Sequence, residues 1–172
     1  MKVFVTGGTG LLGNHLITEL LAQEHQVTAL VRDPVKAVRV LPASPRLSTI
    51  VGDIENADNW LSSVDGMDAV IHAAAYFREA FGRGDHAAKL QTLNVDLPVQ
   101  IAQEAARRNV RKTVIVSSSG VVYPRADGSP ATEADEPRTP VPENEYFQSK
   151  VQMEKALRKI APELGNSLIV IR

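Results

Sequence analysis

Two hydrophobic periods alternate along the chain: short runs that are almost entirely apolar, and longer segments with apolar residues at helical spacing. The apolar runs predict six strands, at Lys2–Val5, Gln26–Arg32, Leu47–Asp53, Met67–Ala75, Lys112–Ser118 and Ser167–Arg172. The helical segments predict helices at Leu11–Glu24, Pro34–Leu41, Asp58–Ser63, His86–Asn109 and Glu145–Ile160, the fourth interrupted near Pro98. Apolar strands that alternate with helices are typical of a parallel sheet covered on both faces. The pattern therefore predicts an α/β fold, a doubly wound sheet of six strands.

One segment departs from this rhythm. Tyr123 to Glu145 holds five of the chain's ten prolines and has no apolar periodicity. A loop of this length inside a compact domain is usually functional. Because it follows the fifth strand, it is expected on the carboxyl side of the sheet, where ligands bind in such folds.

Composition narrows the range of functions. A chain of 172 residues is long enough for one domain with a hydrophobic core. The formal net charge of −1 gives no reason to expect nucleic acid or an anionic membrane as a partner, and no apolar run is long enough to span a bilayer. The absence of cysteine excludes disulfides and thiolate metal sites and favours a cytoplasmic location. The four histidines lack the spacing of metal ligands, so no metal site is expected.

A glycine-rich segment, VTGGTGLLG, joins the first strand to the first helix. Its glycines fit the dinucleotide pattern as Gly8-x-Gly10-x-x-Gly13, and also the wider spacing that begins at Gly7. We expect Gly7 to permit a tight turn, Gly10 to let a pyrophosphate approach the main chain, and Gly13 to let the helix lie close to the sheet. The helix N-terminus would then offer N–H groups and a partial positive charge to the phosphates.

The end of the second strand bears on the choice of cofactor. Arg32 could pair with a ribose 2′-phosphate, which favours NADP. Asp33 could accept hydrogen bonds from a ribose and keeps NAD possible, although it could equally cap the next helix. The prediction is NADP, with NAD as the alternative.

A second group of residues has the chemistry of proton transfer. Tyr146 and Lys150 lie four residues apart on one predicted helix and so share a face. A tyrosine near a cation and an oxidised nicotinamide would have its pKa lowered toward neutrality, where it can exchange a proton with a substrate hydroxyl or carbonyl. Ser119, at the end of the fifth strand, would hold the substrate oxygen.

Together these segments resemble the extended branch of the short-chain dehydrogenase/reductase superfamily, which has a Rossmann fold. The segment TGGTGLLG is similar to that branch's glycine motif, and SSSGVVY and YFQSK are similar to its catalytic segments. The resemblance implies catalytic roles for Ser119, with Ser118 as second choice, and for Tyr146, Lys150 and Asn94. It also implies cofactor contacts at Gly7, Thr9, Gly10, Leu11, Leu12, Gly13, Arg32, Asp53, Ile54, Ala73, Ala74, Ala75, Tyr146 and Lys150.

The resemblance implies an enzyme, with a reductase of ketones or aldehydes similar to dihydroflavonol reductases as the first prediction. A nucleotide-sugar epimerase or dehydratase and a non-catalytic NADP sensor are the alternatives. Family members continue past the sixth strand into a substrate domain, so residues 1–172 are expected to form a cofactor-binding domain that lacks the substrate domain. The small-molecule substrate therefore stays open. The helices at His86–Asn109 and Glu145–Ile160 correspond to the family's dimer helices, which implies a homodimer.

Overall fold

Six parallel strands form one sheet in the computed structural model, which describes residues 1–77, 84–137 and 144–172. The strands are β1 (Lys2–Thr6), β2 (Gln26–Val31), β3 (Leu47–Val51), β4 (Ala69–His72), β5 (Lys112–Val116) and β6 (Ser167–Ile171). Their order in the sheet is β3-β2-β1-β4-β5-β6, and every neighbouring pair is parallel. The predicted doubly wound sheet is confirmed. The strand order reverses between β1 and β4, where folds of this type bind ligands.

Helices follow the strands and cover both faces of the sheet. They are α1 (Leu11–Ala22), α2 (Pro34–Val40), α3 (Ala87–Leu90), α4 (Leu97–Arg107) and α5 (Glu145–Ile160). One hydrophobic cluster contains residues from α1, α2 and one face of the sheet, including Ile17 and Val5. A larger cluster on the opposite face contains residues from α4 and α5, including Ile101 and Leu157 packed with Phe4. Among the described residues, no helix is long and apolar enough to cross a bilayer.

A π-helical turn interrupts the predicted helix at His86–Asn109 just before Pro98. Residues Gln91–Asp96 form this turn between α3 and α4. Proline has no N–H to donate and its ring crowds the carbonyl group four residues earlier, here that of Asn94. The wider turn accommodates this proline and brings Asn94 into the core, where it is buried.

Several boundaries differ from those predicted. The expected helix at Asp58–Ser63 is a pair of short 3₁₀ segments, Ala57–Asn59 and Leu61–Val64, on either side of the buried Trp60. Helix α1 ends two residues early because Glu24 adopts a left-handed conformation with a φ of +63°. The strands β3, β4 and β5 are shorter at their carboxyl ends than predicted. The residues released there become the loops that carry the predicted site.

Candidate functional site

The glycine loop between β1 and α1 depends on contacts that only glycine permits. Gly7 has a φ of +75°, a conformation that other residues rarely adopt. A Cβ atom on Gly13 would lie 2.2 Å from the Gly7 carbonyl oxygen, so this glycine lets α1 begin directly against the loop. The Gly10 N–H donates to the same carbonyl oxygen at 2.9 Å and closes the turn. The turn and the close approach that the sequence predicts are both present.

The amino end of α1 presents main chain and no capping side chain. Gly10 stands at the N-cap without a side-chain hydrogen bond, and no acidic residue lies in the first turn. Thr9 is half-buried in the loop, while Leu11 and Leu12 are exposed. A helix start of this kind carries a partial positive charge and N–H groups that lack intrahelical partners, which suits a phosphate. The residues present therefore fit the pyrophosphate of a dinucleotide.

The loop after β4 lies against the glycine loop. A Cβ atom on Gly7 would come within 2.6 Å of the Ala74 nitrogen. The Ala73 N–H donates to the Thr6 carbonyl oxygen at 3.2 Å, and the Ala74 N–H donates to the Thr6 hydroxyl at 3.4 Å. Ala75 follows as an exposed residue at the same edge. The fold thus brings the predicted cofactor residues 73–75 beside the glycines.

His72, at the end of β4, is a buried group under this edge. Its Nδ1 is hydrogen bonded to the Thr6 hydroxyl at 2.7 Å. Burial, and to a smaller extent the charge of Lys150, lowers the pKa of His72 to about 3. Its Nε2 is buried and has no hydrogen-bond partner among the described residues. His72 is therefore a neutral imidazole at physiological pH that is hydrogen bonded to Thr6 beside the glycine loop.

Arg32 and Asp53 meet at the β2–β3 end of the same edge. The Arg32 Nη1 lies 3.9 Å from the Asp53 Oδ2, and the Arg32 side chain is largely exposed. The Asp33 carboxylate accepts hydrogen bonds from two main-chain N–H groups in the first turn of α2, at 2.9 and 3.0 Å, and is the N-cap of that helix. Ile54 packs half-buried on the core. Arg32 is left as the exposed cation at the tip of β2.

Tyr146 and Lys150 occupy successive turns of α5. The Lys150 Nζ lies 5.7 Å from the centroid of the Tyr146 ring. It also donates to the Val116 carbonyl oxygen at 2.9 Å, which attaches α5 to the end of β5. The side chain of Lys150 is buried, with 1% exposed. Burial lowers the pKa of Lys150 to about 8, and the charge of Glu154 opposes this shift.

The three serines after β5 have three different environments. Ser117 is buried, and its hydroxyl donates to the Glu154 carboxylate at 2.6 Å. The Ser118 hydroxyl accepts from the Gly120 N–H and caps a short 3₁₀ segment. Ser119 is exposed in that segment. The most exposed of the three serines is thus the one that the sequence predicts as catalytic.

A glycine–phenylalanine contact joins the serine turn to α5. A Cβ atom on Gly120 would lie 2.4 Å from the Phe147 ring, so no larger residue fits without movement. The Phe147 N–H donates to the Asn144 side chain at 2.9 Å, which caps α5. The rings of Phe147 and Tyr146 have centroids 5.7 Å apart. The contact therefore sets the turn that carries Ser119 against the helix turn that carries Tyr146.

Asn94 connects three parts of the site through its side chain. Its Oδ1 accepts from the Tyr76 N–H at 2.7 Å, and its Nδ2 donates to the Tyr76 carbonyl oxygen at 2.8 Å. The same Nδ2 donates to the Ser149 hydroxyl at 3.1 Å, and that hydroxyl donates to the Tyr146 carbonyl oxygen at 2.7 Å. Asn94 thus contacts main chain and a serine in the core, where it can position Tyr146.

The segment after Ala75 borders Tyr146. The Phe77 ring meets the Tyr146 ring edge-on with centroids 5.0 Å apart, and 46% of Phe77 is exposed. The Tyr76 hydroxyl lies 2.6 Å from the His86 Nδ1. Residues 78–83, which follow Phe77, lie outside the described residues, as do residues 138–143 of the proline-rich loop.

Sequence reasoning missed a buried ionic group beside Lys150. Glu154 lies one turn beyond Lys150, is 3% exposed, and binds the Arg172 guanidinium at 2.8 Å. An acidic residue four positions after Lys150, and therefore on the same helix face, was the available signal. Among the described residues, no cluster of three or more histidine, aspartate or glutamate side chains is arranged to hold a metal ion.

Comparison with known proteins gives a family match over nearly the whole chain. The model of the "NAD dependent epimerase/dehydratase family" matches residues 3–172. A 3-beta-hydroxysteroid dehydrogenase of Mycolicibacterium neoaurum is 31% identical over 159 residues, which are 90% of this chain and 42% of that protein. The chain spans half or less of the length of such curated relatives.

Solved structures give the same fold. The UDP-glucuronic acid 4-epimerase of Bacillus cereus in complex with NAD has a TM-score of 0.78 at 23% identity, over 100% of this chain and 56% of that one. The yeast methylglyoxal/isovaleraldehyde reductase complexed with NADPH has a TM-score of 0.74 at 24% identity, over 99% of this chain and 56% of that one. At these identities the likeness establishes the fold.

Proposed function

Because the chain belongs to the NAD-dependent epimerase/dehydratase family, we propose that residues 1–172 form the cofactor-binding domain of an oxidoreductase that acts on ketones, aldehydes or alcohols. One observation carries the proposal: the carboxyl ends of β1, β4 and β5 bring the glycine loop, residues 73–75 and the Tyr146–Lys150 pair to the same edge of the sheet. The edge includes the point between β1 and β4 at which the strand order reverses, where folds of this type bind ligands.

The residues of this edge have separate roles in the proposed reaction. A bound nicotinamide dinucleotide would supply or accept the hydride. The Tyr146 hydroxyl transfers a proton to or from the substrate oxygen, and Lys150 provides the positive charge that favours the tyrosinate. The Ser119 hydroxyl holds the substrate oxygen. The glycine loop binds the pyrophosphate, and Asp53 and Ile54 border the adenosine.

Exchange of Tyr146 for phenylalanine tests the acid/base role. Tyr146→Phe keeps the ring contacts with Phe77 and Phe147 but removes the proton donor. We expect turnover to fall by at least about 10²-fold, the usual size of general acid catalysis, with cofactor affinity changed less than about threefold. The assay uses residues 1–172 and any longer product of the same reading frame. Unchanged turnover would disprove the role. A longer wild-type product that includes the substrate domain and binds the cofactor without turning over any substrate would indicate a sensor.

NADP is the proposed cofactor because Arg32 is an exposed cation while Asp33 is occupied as a helix cap. Arg32→Ala is expected to weaken NADPH binding about tenfold and to leave NADH binding nearly unchanged, because only NADPH carries a 2′-phosphate. Calorimetric titration with both nucleotides measures this. Arg39→Ala, which removes an exposed cation on α2, is the matched control. Equal losses for both nucleotides would contradict the assignment.

A nucleotide-sugar epimerase or dehydratase is the second candidate, since UDP-glucose 4-epimerases of Neisseria meningitidis match at 32% identity over 92% of this chain. The exposed, apolar Phe77 beside Tyr146 favours an apolar carbonyl substrate and hence the reductase. A panel of ketones, aldehydes and UDP-sugars separates the two.

A cytoplasmic location and a homodimer remain predictions. The large apolar side chains found exposed among the described residues do not lie on α4 or α5, the helices of the predicted dimer contact.

A further inference from the structure

The core beneath the site contains a buried carboxylate that the proposed chemistry does not use. Glu154 lies in the third turn of α5, two turns beyond Tyr146 and one beyond Lys150. Both its oxygens bind the Arg172 guanidinium, with Nη2–Oε2 at 2.8 Å and Nε at 3.2 and 3.3 Å from Oε2 and Oε1. Ser117 donates to Oε1 at 2.6 Å. A buried charge needs such partners because desolvation disfavours it.

Three elements meet at this carboxylate. The pairing of β5 with β6 sets Val116 opposite Ile171, and the Ser117 N–H donates to the Ile171 carbonyl oxygen at 2.7 Å. This pairing brings Ser117 and Arg172 to one place, where α5 offers Glu154. The Arg172 Nη1 also donates to the carbonyl oxygens of Glu133 and Asp135, at 3.3 and 2.9 Å. The same ionic group thus extends to the described part of the proline-rich loop.

Two consecutive residues at the end of β5 are bound by two consecutive turns of α5. Lys150 binds the Val116 carbonyl oxygen, and Glu154 binds the Ser117 hydroxyl. These two bonds fix the position of α5 along the direction of β5. Ser119 follows Ser117 in the chain after β5, and Tyr146 precedes Lys150 on α5. The position of α5 along β5 therefore sets the two proposed catalytic groups relative to each other.

We propose that Glu154 is a positioning residue of this site: clamped by Ser117 and Arg172, it holds α5 in register with β5 and keeps the Lys150 ammonium beside the Tyr146 ring. The inference rests on the proposed roles of Tyr146 and Lys150. It adds an electrostatic part, since the Glu154 charge favours the charged form of a lysine whose burial disfavours it.

The charged groups around Lys150 predict the direction in which each substitution shifts the pKa of Lys150. Glu154 opposes the effect of burial on the pKa of Lys150, and Arg172 partly neutralises Glu154. His72, from β4, carries no charge near neutral pH. Removal of the Glu154 charge should therefore lower the pKa of Lys150. Removal of the Arg172 charge should raise it.

The test follows the Lys150 ¹³Cε resonance against pH in the 172-residue chain with ¹³C-labelled lysine, the signal being assigned by Lys150→Arg. Glu154→Gln is expected to lower the Lys150 titration midpoint by about 0.5–1 pH unit relative to wild type, and Arg172→Gln is expected to raise it. Glu154→Asp keeps the negative charge, so its midpoint should lie between those of Glu154→Gln and wild type. Glu163→Gln, which removes an exposed carboxylate just after α5, should change nothing. If Glu154→Gln does not fold, Arg172→Gln and Glu154→Asp still decide the sign.

Turnover provides the second measurement. Glu154→Gln should lower kcat about tenfold or more and move the pH profile in the direction of the Lys150 shift, with KM for the cofactor little changed. Unmoved Lys150 midpoints in all three variants would overturn the inference even if the enzyme is active. Failure of the proposed function would show differently, as a Tyr146→Phe variant that retains full turnover.

Discussion

At the scale of single residues, the site depends on three glycines, because a Cβ atom at any of these positions would collide with a neighbouring group. Gly7 and Gly13 lack the Cβ atoms that would collide with main chain, and Gly120 lacks the one that would collide with Phe147. The first two let the start of α1 lie open beside β4, and the third joins the serine turn to α5. A side chain at any of these positions would fill the space that the site needs.

Gly13→Ala tests this. The new Cβ would lie 2.2 Å from the Gly7 oxygen and 2.7 Å from the Gly7 carbonyl carbon, so α1 must move. We expect the free energy of unfolding to fall by about 1–3 kcal/mol, as in other overpacked sites, and NADPH affinity to fall at least about tenfold. Denaturant unfolding and nucleotide titration measure the two effects. His15→Ala, at an exposed position of the same helix, is the control. Unchanged affinity in Gly13→Ala would show that the cofactor does not approach this loop.

At the scale of elements, the π-helical turn before α4 has a structural consequence. Pro98 imposes the wider turn, and the turn delivers Asn94 into the core. From there the Asn94 amide binds the main chain of Tyr76, after β4, and the hydroxyl of Ser149, on α5. One side chain thus connects the segment after β4 to the helix that carries Tyr146.

Asn94→Ala should uncouple these elements. It removes the two buried hydrogen bonds between the Asn94 amide and the main chain of Tyr76, at a cost of about 2–4 kcal/mol of unfolding free energy. Gln103→Ala, at an exposed position of α4, should cost less than about 0.5 kcal/mol. Thermal or urea unfolding of both variants measures the difference. Similar stabilities for the two variants would contradict this connecting role of Asn94.

At the scale of the whole molecule, two buried bases make stability depend on pH. The pKa of His72 is lowered to about 3 and that of Lys150 to about 8, in both cases first by burial. For each group the unfolded chain binds more protons than the folded chain between the folded and unfolded pKa values. Stability therefore rises with pH through both windows, from about 3 to 6.5 for His72 and from about 8 to 10.5 for Lys150.

The histidine window can be measured separately. Between pH 6.5 and 4.5 the His72 contribution to unfolding free energy should fall by about 2–3 kcal/mol, at about 1.4 kcal/mol for each pH unit. His72→Gln removes this part, so its stability should fall less steeply over the same interval than that of the wild type. His15→Gln, at an exposed position, should keep the wild-type slope. Urea unfolding at both pH values compares the slopes, and parallel slopes for His72→Gln and wild type would refute the buried neutral state.

The sequence alone determined the α/β class, the parallel sheet and the place of the glycine loop, because these follow from periods and spacings within short segments. The helical separation of Tyr146 from Lys150 is local in the same sense. Only the tertiary structure decided which serine is exposed, how Asn94 joins three elements, and that Glu154 meets Ser117 and Arg172. Those contacts join residues that are far apart in the chain, and their energies depend on burial, which no local pattern of residues specifies.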